Sequence, residues 1–163
     1  MIRIPGTAAR YLVKDRVLYI FCRGTSSADP WWRNLLVRRE RWHGYRLNWA
    51  DFLEAFGISR RLPTEGYDLV FIAAFSRGAG PAAILQLMIG GELSLFAPKR
   101  VGCRALVRRQ SKFARAYRCD IIPLLPPWYA SWRCRWSGWM WPWKAHQRAA
   151  RDAARWRHEV SRG

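Results

Sequence analysis

Acidic residues are scarce in this chain. Eleven Asp and Glu stand against 29 Lys and Arg in 163 residues, which leaves a formal net charge of +18 and a pI of about 11.2. That imbalance calls for an anionic counterpart: lipid headgroups, nucleic acid or an anionic substrate. Histidine, with three residues, is also sparse, and the four cysteines (Cys22, Cys103, Cys119, Cys134) show no C-x-x-C spacing. No metal site and no cofactor are therefore expected. Long apolar runs are missing too. Nothing approaches the roughly 20 residues that span a bilayer, so any membrane contact is expected to be peripheral. No charged-then-apolar leader opens the chain, so export by a standard signal is not expected. The thiols are then expected to be reduced and the protein cytoplasmic or peripheral to a membrane.

Against these shortages, half of the residues are hydrophobic, enough for one domain with a real core. Eleven tryptophans are present, and seven of them fall between Trp128 and Trp156. Trp with Arg suits a membrane interface, where an amphipathic ring sits at headgroup level. It also suits single-stranded nucleic acid, where aromatic rings stack on bases.

The centre of the chain is the most informative. Leu69 to Ala74 is an unbroken apolar run, the pattern of a strand buried on both faces. Ala74-Phe75-Ser76-Arg77-Gly78 follows, and then an apolar helix closed by Gly90-Gly91. Strand, tight turn with a central serine, helix is the setting in which a G-x-S-x-G-like motif carries a nucleophile. A serine that merely caps the helix is the other reading of Ser76.

Val17 to Cys22 and Leu93 to Ala97 read as further buried strands, and Ala105 to Ser111 as a short helix. The Ser26–Asn34 segment, with Trp31 and Trp32 between breakers, reads as a flap. In YRLNWADFLEAFG, Leu47, Phe52, Leu53 and Phe56 approximate a helical stripe that Gly57 is expected to stop. From Lys99 to Arg118 there are eight basic residues and no acidic one. The prolines of IIPLLPP enforce an extended loop. Residues 128–144 have no assignable periodicity. His146 to Val160 forms an amphipathic helix, with Ala149, Ala153, Trp156 and Val160 on one side. Arg148, Arg151, Arg155 and Arg162 fall on another, as a solvated or a lipid-facing stripe. Alternating strands and helices with short connections predict an α/β fold, a mostly parallel sheet flanked by helices.

Four blocks, taken in order, resemble the class 3 (fungal-type) lipase family of α/β-hydrolases. FCRGTSSADPWWRN resembles the block that closes the oxyanion strand and opens the lid. His43-Gly44-Tyr45 resembles H-x-G-[FY], which starts the following helix, and AFSRGAGPA resembles the nucleophile elbow G-H-S-L-G-G-A. APKRVGC with YRCDIIPLLPP resembles the blocks around the catalytic acid. Together they span residues 21 to 127. The resemblance implies a single, compact and trimmed α/β-hydrolase domain over 1–163, with a Trp/Arg-rich C-terminal segment over 128–163.

It also implies roles for particular residues. Ser76 would be the nucleophile and Asp120 the acid. Thr25 and the Arg77 backbone N–H would be the oxyanion donors, with Trp31 and Trp32 in the lid. The histidine follows the acid and precedes a C-terminal helix, which gives His146, with His158 second. His43 precedes Ser76, the wrong order for this fold. Ala74 replaces the first glycine of the elbow. Arg77 replaces the usual leucine, which would set a cation beside the acyl site. Ser-Arg-Gly-Ala also looks like the elbow of bacterial phospholipase-type effectors, which points to an anionic phospholipid substrate.

The expectation is a serine ester hydrolase, lipase- or esterase-like, that cleaves acyl esters of lipids at an anionic surface with a Ser-His-Asp triad. In such a triad a neutral imidazole takes the hydroxyl proton, and the carboxylate holds the imidazole in its tautomer. The alternative is a catalytically inactive hydrolase-like module that binds membrane or nucleic acid through a basic, Trp-rich surface.

Overall fold

The computed structural model describes residues 1–24, 39–99, 103–110, 114–118, 135–139 and 141–162. Nine strands and four helices are found among them, in the order β1 (Ile2–Arg3), β2 (Ala9–Lys14), β3 (Val17–Cys22), β4 (Arg39–Trp42), β5 (Tyr45–Asn48), α1 (Trp49–Ser59), β6 (Leu69–Phe75), α2 (Ala79–Ile89), β7 (Glu92–Phe96), α3 (Arg104–Gln110), β8 (Ala114–Arg118), β9 (Arg135–Trp139) and α4 (Pro142–Arg162). Seven strands form one sheet in the order β1-β2-β3-β6-β7-β8-β9. From β3 to β9 all neighbours are parallel, and β1 and β2 add an antiparallel edge. The predicted α/β architecture is what the chain adopts.

Alternation along the strands sorts the side chains into two layers. Leu18, Ile20 and Cys22 of β3, Ile72 and Ala74 of β6, and Leu93 and Leu95 of β7 join one core with Ala55, Ile58, Ala82, Leu85 and Leu106 from α1, α2 and α3. The residues between them point to α4. Phe21, Ala73 and Phe96 pack with Ala153 and Trp156, and Trp156 meets Phe21 at 6.3 Å and Tyr19 at 6.4 Å between ring centroids. Burial on both faces is why β3 and β6 read as continuous apolar runs.

Two elements depart from the expectation. Gly57 does not stop α1, which continues to Ser59. A mid-helix glycine costs about 1 kcal/mol, whereas burying Ile58, which is wholly enclosed, returns about 2–3 kcal/mol. The buried face of α1 is Asp51, Ala55 and Ile58. Leu53 and Phe56, expected in its apolar stripe, are 48% and 45% exposed, and Leu47 belongs to β5. His43 and Gly44 also do not start the helix. Both have positive φ, 43° and 82°, and they turn the β4–β5 hairpin as a two-residue turn of that hand does.

Inside the segment that resisted assignment, β9 pairs parallel with β8, and α4 starts at Pro142, a first-turn position where proline needs no partner for its missing N–H. Ala145, Ala149 and Ala153 are buried along α4, while Arg148, Arg151, Arg155 and Arg162 are exposed. Trp156→Ala should therefore lower stability by about 2 kcal/mol, somewhat less than for a fully buried tryptophan. Trp143→Ala, at a position 72% exposed, should change it by no more than about 0.5 kcal/mol. Urea denaturation midpoints of the two variants check this.

Candidate functional site

β6 runs extended to Phe75 (φ −121°, ψ 135°), and then Ser76 reverses the chain with φ 53° into a short 3₁₀ turn, Ser76–Gly78, that leads directly into α2. Left-handed backbone costs a residue with a Cβ about 1–2 kcal/mol, so surrounding contacts must impose it. The end of β3 supplies them. A Cβ on Gly78 would collide with the carbonyl oxygen of Cys22 and come within 2.7 Å of that of Arg23. One on Gly24 would lie 3.0 Å from both the Phe75 carbonyl oxygen and the Ser76 Cβ. On the other side the Lys99 N–H donates to the Ser76 carbonyl oxygen at 3.1 Å. The serine is held between the ends of β3 and β7, and 8% of its surface remains exposed.

His146 lies near the head of α4, half-buried, with its ring centroid 4.8 Å from that of Phe75. The imidazole thus packs on the residue that precedes Ser76, on the α4 face of the sheet. His158 is exposed and lies three turns further along the same helix, about 18 Å at 1.5 Å per residue. His43 sits at the tip of the β4–β5 hairpin against Trp42, 4.5 Å between centroids. Of the three histidines, the fold brings His146 to the serine turn. Thr25, Trp31, Trp32 and Asp120 lie outside the described residues.

The Arg77 side chain is 18% exposed and turns to α1, where it pairs with Glu54 at 3.7 Å. Glu54 also accepts the Ala8 N–H at 3.3 Å. Behind this pair is a group that sequence reasoning missed. Asp51, in the first turn of α1 below the Asn48 cap, is 2% exposed, and its Oδ2 accepts no hydrogen bond. Its carboxylate packs where a Cβ on Gly80 would fall, at the start of α2. Burial pushes its pKa up, and the charges of Lys99 and Arg77 pull it partly back. Lys99 is itself 5% exposed. Asp51 lies on the α1–α2 side of the sheet and His146 on the α4 side, so Asp51 is not placed to orient that imidazole. The Cys22 thiol, wholly buried at the end of β3, is pushed far up by desolvation and is inert as a nucleophile. Among the described residues no cluster of His, Cys, Asp or Glu could hold a metal ion, and no helix is long and apolar enough to cross a membrane.

No family model and no curated protein matches this sequence. Solved structures do. A fungal lipase–inhibitor complex, described as a model for interfacial activation in lipases, superposes with a TM-score of 0.57 at 20% identity, over 77% of this chain and 58% of that one. A deletion mutant of Rhizomucor miehei lipase in a propeptide complex superposes with a TM-score of 0.53 at 21% identity, over 74% and 46%. The chain therefore has the α/β-hydrolase-like fold of the fungal lipases and spans about half the length of the two it matches.

Two outcomes follow from the turn. Gly78→Ala should destabilise by at least about 2 kcal/mol, because the obstructing atoms are backbone and cannot rotate away; thermal denaturation measures it. Asp51 gives a pH signature. Its folded pKa lies above the ordinary 3.8, so its contribution to stability is present below that value and is lost as pH rises through the raised one. The stability of the wild type relative to Asp51→Asn should decrease across that window in urea titrations, and a constant difference would contradict the assignment.

Proposed function

We propose that the protein is a serine ester hydrolase of the lipase or esterase type, with Ser76 as nucleophile and His146 as general base. The observation that carries this reading is the left-handed Ser76 at a strand-to-helix bend, with a histidine packed on the residue before it. A strained turn of this kind persists where the fold needs a hydroxyl held out from the backbone. His146 in its neutral form would take the proton as Ser76 attacks an ester carbonyl, and would return it to the leaving alcohol. Asp120 is the proposed acid that holds the imidazole. The Arg77 backbone N–H, at the positive end of α2, and Thr25 are the proposed oxyanion donors. Trp31 and Trp32 complete the proposal as lid residues. No metal or cofactor enters the scheme.

The substrates proposed are acyl esters of lipids met at an anionic surface. The +18 charge and the exposed Trp141 and Trp143 at the head of α4, 78% and 72% exposed, favour such a surface, since indole rings partition to headgroup level. Those same residues are what would serve a module that binds membrane or nucleic acid without catalysis.

Labelling with a fluorophosphonate probe separates the two readings without a guess at substrate. The wild type should react and Ser76→Ala should not. p-Nitrophenyl butyrate turnover should fall at least ~10⁴-fold in Ser76→Ala and comparably in His146→Ala, as on loss of triad members. It should be unaffected in His158→Ala. Equal turnover by the wild type and a folded Ser76→Ala variant would leave the non-catalytic reading.

A further inference from the structure

Arginine converges on one edge of the sheet in a way that the exposed stripe of α4 does not. A cavity of about 120 Å³ is lined by Arg3, Arg10, Arg23 and Arg157, and among the described residues no carboxylate lines it. Its walls come from the β1–β2 ribbon, the end of β3 and the C-terminal part of α4. An adjoining cavity of about 490 Å³ shares Arg3 and Arg23 and adds Arg61 and Arg77. The acid on its wall, Glu54, is engaged by Arg77 and the Ala8 N–H. Arg3 and Arg10 are direct cross-strand partners, an arrangement that destabilises a strand pair when both side chains carry the same charge. Arg157 is held over the Phe21 ring, 5.6 Å from its centroid, and the Arg23 backbone is fixed by its hydrogen bond to the Ala8 carbonyl oxygen at 3.0 Å. Four arginines, from β1, β2, the end of β3 and α4, thus face one small concavity, an arrangement that favours a multiply charged anion.

We infer that this cleft binds the phosphoryl group of a phosphate ester. Guanidinium forks match the oxygens of phosphate and of carboxylate alike in bidentate geometry, and several of them around one concavity favour the doubly charged phosphoryl group over a singly charged carboxylate or halide. The volume suits one phosphoryl group rather than a polymer track. The aromatic ring at the site, Phe21, is covered by Arg157 and offers no face on which a base could stack. Where the cleft lies gives it a consequence that rests on the proposed hydrolase activity. Arg23 precedes Gly24, which abuts Ser76, and Arg77 follows Ser76. A phosphoryl group in the cleft would therefore hold a phosphate-bearing acyl ester with its remaining chains beside the serine. The phosphate site itself does not require a reactive serine.

The test uses the full chain with Ser76→Ala, so that its outcome is independent of catalysis. Inorganic phosphate and pyrophosphate are titrated at constant ionic strength, with thermal denaturation as readout. Arg10→Gln and Arg157→Gln should each weaken phosphate binding about tenfold, as for loss of one charge-assisted contact. Arg10→Gln should in addition be at least as stable as its parent when no phosphate is present. Arg108→Gln, an exposed change of the same charge on α3, should leave the phosphate effect intact. Vesicles of phosphatidylcholine with and without phosphatidic acid identify the source. Association that needs both the phosphatidic acid and Arg10 assigns a lipid headgroup. A phosphate effect that needs Arg10, with vesicle association that does not, assigns a soluble phosphate ester. Equal weakening by all three substitutions overturns the inference. So does Arg10-dependent binding of single-stranded DNA with no phosphate effect.

Discussion

The contact between the end of β3 and the turn after β6 is made backbone to backbone. The carbonyls of Cys22 and Arg23 occupy the space that a side chain at position 78 would need, and Gly24 lies against Phe75 and Ser76 in return. Parallel pairing of β3 with β6 brings Cys22 opposite Ala74, so both strands end at the same level. The chain can turn sharply there only by adopting a backbone conformation that serine disfavours by a kcal/mol or so. The cores on either side make this tolerable. Large aliphatic side chains from three helices on one face, and Phe21, Phe96 and Trp156 on the other, hold the two strands in register. The Ser76 hydroxyl, an N–H at the head of α2 and an imidazole on α4 can be brought to one end of the sheet only after that register is fixed.

Charge is distributed with the same dependence on the sheet. A +18 chain buries little of its excess. The stripe on α4 stays exposed, and its Arg148 pairs with Asp152 at 3.9 Å, a surface contact worth a few tenths of a kcal/mol. Below the serine turn the pattern is different. Asp51 and Lys99 are both nearly inaccessible, and the charges of Lys99 and Arg77 offset part of the desolvation of Asp51. Removing one member of such a group leaves an uncompensated buried charge, so it constrains the α1–α2 junction even where its net contribution to stability is small.

What could be read from the residues followed periodicity. β3, β6, β7 and α3 fall where apolar runs and a short helical pattern put them, because strands buried on both faces leave a signal that needs no tertiary information. The serine turn was legible for the same reason: strand, small residues and helix succeed one another locally. The stripe expected of α1 holds at Phe52, which packs on the core, and fails at Leu53 and Phe56, which are exposed. The buried face carries Asp51, Ala55 and Ile58, while Phe52 stacks on Trp49 and on Phe56 along the helix flank. Hydrophobicity alone points to the aromatic side, whereas α2, with Ala79, Ala82 and Ala83 buried, favours a neighbour with small residues. β9 was illegible because its residues, Arg-Trp-Ser-Gly-Trp, do not alternate between apolar and polar and so mark no inside face. Lys99 reads only as part of a basic stretch and Arg77 as a cation beside the serine, and three-dimensional placement shows that they meet Asp51 and Glu54.

α4 rests on the sheet through Ala145, Ala149 and Ala153, and methyl groups offer almost nothing that resists sliding along the helix axis. Trp156, lodged against Tyr19 and Phe21, is the bulky side chain that fixes the axial position of the rod. His146 is carried ten residues away on the same rod. A shift by one turn would displace its ring by about 5.4 Å, far enough to lose Phe75. The distance between imidazole and serine is in this sense set at the opposite end of the helix, by an indole that touches neither.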